Sequence, residues 1–250
     1  MAQSVERRIG SAEVTGPIPV SSFLKPLKNQ GFLFLQEKEQ NMELYLIRHG
    51  ETDYNKERKI QGSCDIPLNE YGRELARVTA EGLTDVPFDV IFTSPLCRAR
   101  ETAEWIAKGR QIPVYEDKRL QEICFGEYEG LCCGRKEYNI PDGGAFFNTF
   151  FFDTRNYQAP PGGESFEDVI RRTGEFLTEL LQKEEYQDKT VLLSTHGCAL
   201  KAILANIYHT PVAEFWGGGV HKNCAVTHLS VNGTEFQMIE EGKIYYTPQK

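Results

Sequence analysis

Apolar positions in this chain fall into short runs and helical stripes that alternate along its length. Glu43 to Ile47 reads as a buried strand whose apolar run stops abruptly at Arg48-His49-Gly50. Leu68-Asn69 opens a stretch in which Leu75, Val78 and Leu83 recur at helical spacing, with Asn69 placed to cap it. Asp89 to Phe92 is a second short strand ending at Thr93-Ser94-Pro95, followed by a helix carrying Arg98, Thr102, Trp105 and Ile106. Ser165-Phe166-Glu167-Asp168 has the form of a capping box. Behind it Phe166, Val169, Ile170, Thr173, Phe176, Leu177, Leu180 and Leu181 draw one amphipathic stripe. Thr190 to Leu193 is again strand-like, ends at Ser194-Thr195-His196-Gly197, and leads into a buried helix over Ala199 to Tyr208. Two closing strands, Ala225 to Val231 and Glu235 to Ile239, flank the turn Asn232-Gly233. Strands alternating with helices predict an α/β fold, with a mainly parallel central sheet covered on both faces. Two of its strand ends carry a histidine, and strand ends are where open α/β sheets bind ligands.

Met1 to Asn41 breaks this pattern: it holds Gly16-Pro17-Ile18-Pro19, Ser21-Ser22 and Pro26, and keeps no period. It has no apolar core of signal-peptide length. The expectation is a disordered or misassigned extension over 1–41, with the domain occupying 42–250 and starting at Met42. The 250 residues, 40% apolar and 26% charged, suit one globular domain of ordinary size. A net charge of -8 argues against nucleic acid and anionic membrane surfaces as partners, and no apolar run is long enough to span a bilayer. An anionic substrate must then be held by a local cluster of cations. Seven scattered cysteines without a CxxC pair read as reduced thiols in a cytoplasmic protein rather than a metal site or disulfide framework. A homodimer is compatible with all of this.

Leu44 to Asn55 reads Leu-Tyr-Leu-Ile-Arg-His-Gly-Glu-Thr-Asp-Tyr-Asn, and Ser94 to Ala103 reads Ser-Pro-Leu-Cys-Arg-Ala-Arg-Glu-Thr-Ala. With Leu120 to Gly130 and Ser194 to Gly197, these motifs resemble, in order, the signatures of the histidine phosphatase superfamily, the phosphoglycerate mutase-like enzymes. The resemblance runs from Met42 onward and implies the three-layer α-β-α sandwich of that family. It makes His49 the nucleophile that becomes phosphohistidine, a step that splits hydrolysis into two easier ones. It makes Arg48 and Arg98 phosphate-holding forks, a geometry lysine does not copy. The place of Arg98 near a helix start would bring backbone N–H groups to the same phosphate. Arg100 should face away and pair on the surface. His196 becomes a second phosphate ligand, and Glu122 the proton donor, ahead of Glu127 and Glu129. Asn55, Gln61 and Gly62, with Thr52, supply further phosphate contacts. Glu51 reads as a loop hydrogen-bond partner, His209 and His228 as structural, and His221 as lying near the cleft.

No cofactor or metal is required by this scheme, and neither HExxH nor a GxxxxGK[ST] loop occurs. The superfamily the chain resembles holds both phosphatases and mutases. An insertion at about 131–163 carries Phe146, Phe147, Phe150, Phe151, Phe152 and Tyr157 with Arg135, Lys136 and Arg155. Such an aromatic lid favours an ester with an apolar or ring-bearing leaving group, unless its rings simply pack on the core. Cys124-Phe125 departs from the Arg/His-Tyr of the mutase form, and no paired arginines occur between Glu122 and Ser165. The chain therefore reads as a phosphomonoesterase of small phosphorylated metabolites, similar to broad-specificity and α-ribazole phosphatases. A cofactor-dependent phosphoglycerate mutase is the alternative. An inactive phospho-ligand-binding module is disfavoured because both His49 and Glu122 are present.

Overall fold

The computed structural model describes residues 41–134, 137–142 and 144–248. Expectations for the extension and for Arg135 and Lys136 lie outside these, save that Asn41 already belongs to the first strand, β1 (Asn41–Arg48). Alternation in β1 decides which layer each side chain joins. Leu44 and Leu46 pack with α5 (Phe166–Gln182) and α6 (Gly197–Tyr208) through Phe176, Leu177, Leu180, Leu200 and Ile203. Ile47 faces the opposite way, toward α2 (Glu70–Gly82) and α3 (Cys97–Ala107), with Leu75, Leu83, Ala103 and Ile106. Helices on both faces of one sheet give the expected three layers.

Six strands lie in the order β3-β2-β4-β1-β5-β6, where β2 is Val90–Thr93, β3 Val114–Glu116, β4 Thr190–Thr195, β5 Val226–Asn232 and β6 Glu235–Lys243. The first four are mutually parallel; β5 and β6 are antiparallel additions at one edge. Periodicity found every strand except β3, whose three residues are all exposed and carry no apolar pattern. It also gave no warning of two helices, α1 (Asp53–Glu57) and α4 (Ala145–Phe152). The sequence of α4, Ala-Phe-Phe-Asn-Thr-Phe-Phe-Phe, is apolar nearly all round and shows no stripe. Phe146 and Phe150 of α4 join a third apolar cluster with Phe125, Phe166, Val169, Ala199 and Phe215. The insertion thus packs over the first turns of α5 and α6.

Ser165 begins α5 as expected: its hydroxyl accepts from the Asp168 amide at 3.2 Å, and Asp168 Oδ2 accepts from the Ser165 amide at 3.1 Å. Ser165→Ala should therefore lower stability by about 1 kcal/mol, read as a shift in the urea unfolding midpoint. An unchanged midpoint would show that packing alone sets the start of α5.

Candidate active site

Register in the sheet builds the site. In the parallel pairing of β1 with β4, Arg48 lies opposite Thr195, so the next residue of each strand is a histidine. The His49 amide donates to the Thr195 carbonyl at 2.9 Å, and the two imidazole centroids are 5.1 Å apart. On the far side of β4, the Ser94 amide leaving β2 donates to the Ser194 carbonyl at 2.9 Å. Three neighbouring strands therefore end at one place, next to α6.

The His49 ring is buried, and its Nδ1 lies 2.7 Å from the Gly50 carbonyl. A carbonyl only accepts, so Nδ1 carries the hydrogen and the lone pair belongs to Nε2. Burial, with Arg98 and Arg48 beside it, holds His49 well below the ordinary histidine range. Neutral imidazole with its lone pair on Nε2 is the nucleophilic form. Burial and the Arg98 charge depress His196 likewise. Its Nε2 lies 2.8 Å from Ser94 Oγ, while its Nδ1 is buried with no partner among the described residues.

Both arginines are held by carbonyls. Arg98, fully buried, donates to the Gly62 and Cys64 carbonyls at 2.7 Å each, and Arg48 donates to the His221 carbonyl. The Nε atoms of Arg48 and Arg98 are, like His196 Nδ1, buried without a protein partner. Unpaired buried nitrogens are rare in folded proteins, and the two on arginines that line one cavity call for an oxygen-rich anion there; His196 lies beside His49 but is not among the residues lining that cavity. Gly62 allows this approach: its φ is +51°, and a β-carbon there would come within 2.1 Å of Glu129.

Glu122 faces this cluster from the loop after β3. Its Oε1 accepts from the Ile123, Cys198 and Ala199 amides at 3.1, 3.0 and 3.0 Å, so it sits on the N-terminus of α6. A β-carbon on Gly197 would lie 3.6 Å from both Glu122 Oε2 and Arg48 Nε, which places acid and cation on either side of that glycine. The rivals differ. Glu127 is exposed. Burial raises the Glu129 carboxyl, but donors from Cys64, Ser63 and Phe125 outweigh it and hold the group below its usual range, as a carboxylate that ties down the Ser63 loop.

Arg48, His49, Asn55, Gln61, Gly62, Arg98 and Glu122 line one cavity of about 160 Å³. Thr52 does not line it: fully buried, its hydroxyl donates to Gln61 Oε1 at 2.8 Å, and it caps α1 in a reciprocal box with Asn55. The expected substrate contact by Thr52 is thus replaced by a supporting one. Because Thr52 engages both amide oxygens, Asn55 and Gln61 keep their NH₂ groups for the cavity. The expectation for the start of α3 also changes, since its Cys97 amide donates to Asp65 Oδ1 at 2.6 Å. Arg100 pairs on the surface with Glu116, and Glu51 accepts from Asn69 Nδ2 at 3.0 Å, both as read from the sequence. His228 binds Glu43 and stacks on Tyr45, a structural setting. His221 meets the cleft only through its carbonyl on Arg48, its ring being bonded to Thr227.

The profile of the histidine phosphatase superfamily (branch 1) matches residues 44–242. The chain belongs to this superfamily. An uncharacterized phosphatase, PhoE, of Bacillus subtilis is 36% identical over 162 residues, 65% of this chain and 75% of the relative. A 2,3-bisphosphoglycerate-dependent phosphoglycerate mutase 2 of Gloeobacter violaceus is 36% identical over 170 residues, 66% of this chain and 75% of the relative. The solved structure of Bacillus stearothermophilus YhfR superposes with a TM-score of 0.74 at 38% identity, covering 81% of this chain and 97% of that one. As a histidine phosphatase with phosphatase-named relatives, the chain is a phosphoric monoester hydrolase.

Sequence reasoning on this superfamily member missed several supporting residues. Asn223 Nδ2 donates to the His49 carbonyl at 3.0 Å, the Gly50 amide donates to Thr102 Oγ1 at 3.1 Å, and Ser94 holds His196. Each acts through a contact made only in the folded chain. Among the described residues, no cluster of His, Cys, Asp and Glu is arranged to hold a metal ion.

Two histidines kept neutral by burial set a pH dependence. Unfolded, each takes up a proton below about pH 6.5; folded, each resists it, so stability falls by up to about 1.4 kcal/mol per pH unit per histidine. Urea midpoints should be flat from about pH 8 to 7 and decline below about 6.5. His196→Asn should make that decline shallower; an equal slope in the variant would count against a depressed His196.

Proposed function

We propose that the chain hydrolyses small phosphate monoesters through a phosphohistidine on His49, with Glu122 as acid and then base. The observation that carries this is the fixed lone pair of His49 Nε2 in a cavity also lined by Arg48 and Arg98, each with an unpaired buried Nε. The phosphoryl group lies among Arg48, Arg98, His196 and the amides of Asn55 and Gln61. These donors stabilise charge on its oxygens as it moves. Nε2 attacks phosphorus, the P–O ester bond breaks, and Glu122 gives its proton to the departing alkoxide. Oε1 accepts from three N–H groups and Oε2 only from the shared Cys198 amide at 3.2 Å, so the proton belongs on the less occupied Oε2. The resulting carboxylate takes a proton from water, which attacks phosphohistidine, breaks the P–N bond and releases inorganic phosphate.

The leaving group meets Ile60, Phe125, Phe146, Phe150, Phe151 and Trp216, which wall the same cavity. Phe125, Phe146 and Phe150 are also core residues, so packing and recognition are one feature of this wall. This supports an ester with an apolar or ring-bearing alcohol. A phosphoglycerate mutase is the second reading, favoured by a relative of that name. Against it, a bisphosphorylated intermediate needs further cations, and among the described lining residues Lys59 alone accompanies Arg48 and Arg98.

Wild-type protein should release free phosphate from p-nitrophenyl phosphate, whereas bisphosphoglycerate-dependent interconversion of phosphoglycerates with negligible phosphate release would select the mutase. His49→Ala should abolish turnover and the acid-labile phosphoenzyme seen by rapid quench. Glu122→Gln should slow hydrolysis of alkyl phosphates by about 10²–10⁴-fold. On p-nitrophenyl phosphate kcat/KM, which ends with loss of the leaving group, should fall far less, because nitrophenolate departs without a proton.

A further inference from the structure

We propose that Arg172 and Glu164 form a positioning clamp that aims Glu122 at the leaving oxygen, an inference that rests on Glu122 being the acid. Residues 121–124 have no helix or strand to hold them, lying between the short turns Lys118–Leu120 and Gly126–Tyr128. Their backbone groups must find partners elsewhere. Arg172, on α5, supplies partners to two of them and to a third carbonyl just upstream. Its Nη1 donates to the Arg119 and Gln121 carbonyls at 2.7 Å each, and its Nη2 to the Glu122 carbonyl at 3.1 Å. Between the Arg119 and Gln121 carbonyls, that of Leu120 accepts from Thr195 Oγ1 at 2.7 Å.

Glu164 completes the device. Its carboxylate takes the Arg172 fork, with Nε to Oε1 at 2.9 Å and Nη2 to Oε2 at 3.1 Å. The same Oε2 accepts from the Cys124 amide at 2.9 Å, and the Glu164 amide donates to the Cys124 carbonyl at 2.8 Å. The segment carrying the acid is therefore tied on both sides of Glu122 to one ion pair. Neither Arg172 nor Glu164 lines the catalytic cavity; both open onto a separate one that Glu122 also borders. They act on the reaction through Glu122. Only arginine has enough donors in one plane to hold three carbonyls and a carboxylate together, which lysine does not reproduce.

The test compares an alkyl phosphate with p-nitrophenyl phosphate in Arg172→Lys, Glu164→Gln and the double variant Arg172→Lys/Glu122→Gln. A misaimed acid should cost about 10- to 100-fold in kcat/KM on the alkyl ester and under about threefold on the nitrophenyl ester. In the Glu122→Gln background, Arg172→Lys should add no further discrimination between the two esters. Equal losses on both esters, wild-type behaviour in Arg172→Lys, or a full further loss in the double variant would each overturn the clamp. Should Arg172→Lys not fold, Glu164→Gln, which keeps side-chain size, decides on the same ratio. If Glu122→Gln alone shows no leaving-group dependence, the assignment of the acid has failed. If it does and the clamp variants do not, only the clamp has failed.

Discussion

The parallel pairing of β1 with β4 is the constraint from which the site follows. Side chains alternate along a strand, so a slip of one residue would send every one to the opposite face. The buried residues on both faces of β1, Leu44 and Leu46 on one and Ile47 on the other, lock that register. Arg48 opposite Thr195 then leaves His49 and His196 as neighbours at adjoining strand ends. No loop closure has to bring them together. The distance between the two imidazoles is set by the core itself.

A second constraint is electrostatic. The chain carries a net charge of -8, yet its cavity must hold a phosphoryl dianion. Direct ion pairs would have lowered the cost of taking Arg98 and Arg48 out of water. Glu122 lies near both, but among the described residues their hydrogen bonds run to the carbonyls of Gly62, Cys64 and His221. A carbonyl satisfies N–H donors without cancelling the charge, so positive potential remains for a ligand. The same unbalanced charge, added to burial, keeps His49 unprotonated. Phosphate affinity and nucleophile activation thus share one cause.

How much of this was legible in the sequence depended on whether local order carried the signal. Strands and helices with a buried face, such as α5 and its stripe from Phe166 to Leu180, could be read from period alone. So could the residues at strand ends, because an apolar run stopping at Arg48-His49 is a local event. The exposed β3 and the uniformly apolar α4 have no period to read. Thr52 looked like a phosphate contact because it follows the motif, but its place under Gln61 is fixed by tertiary packing. Arg172 stands beside Arg171 in the sequence and resembles any solvated helix charge, yet Arg171 is exposed and Arg172 reaches a loop about fifty positions earlier.

In the proposed mechanism, Glu122 illustrates how a helix end can serve a reaction without touching the substrate. The α6 N-terminus lies at the centre of the site, where its free amides would ordinarily bind an anion directly. Here the Cys198 and Ala199 amides bind the Glu122 carboxyl group, and the phosphate is left to side chains. Three donors on Oε1, one of them shared with Oε2, hold the carboxyl against turning over, which in the proposed mechanism leaves the less occupied Oε2 to exchange a proton. One group must give that proton to an alkoxide and later take one from water at the same spot. A carboxyl free to rotate would lose alignment between the two steps, whereas one pinned by a helix end keeps it. Helix α6 is buried along nearly its whole length and so cannot shift to follow its ligand. Rigidity at the acid is therefore inherited from the core, just as the spacing of the two imidazoles is inherited from the sheet.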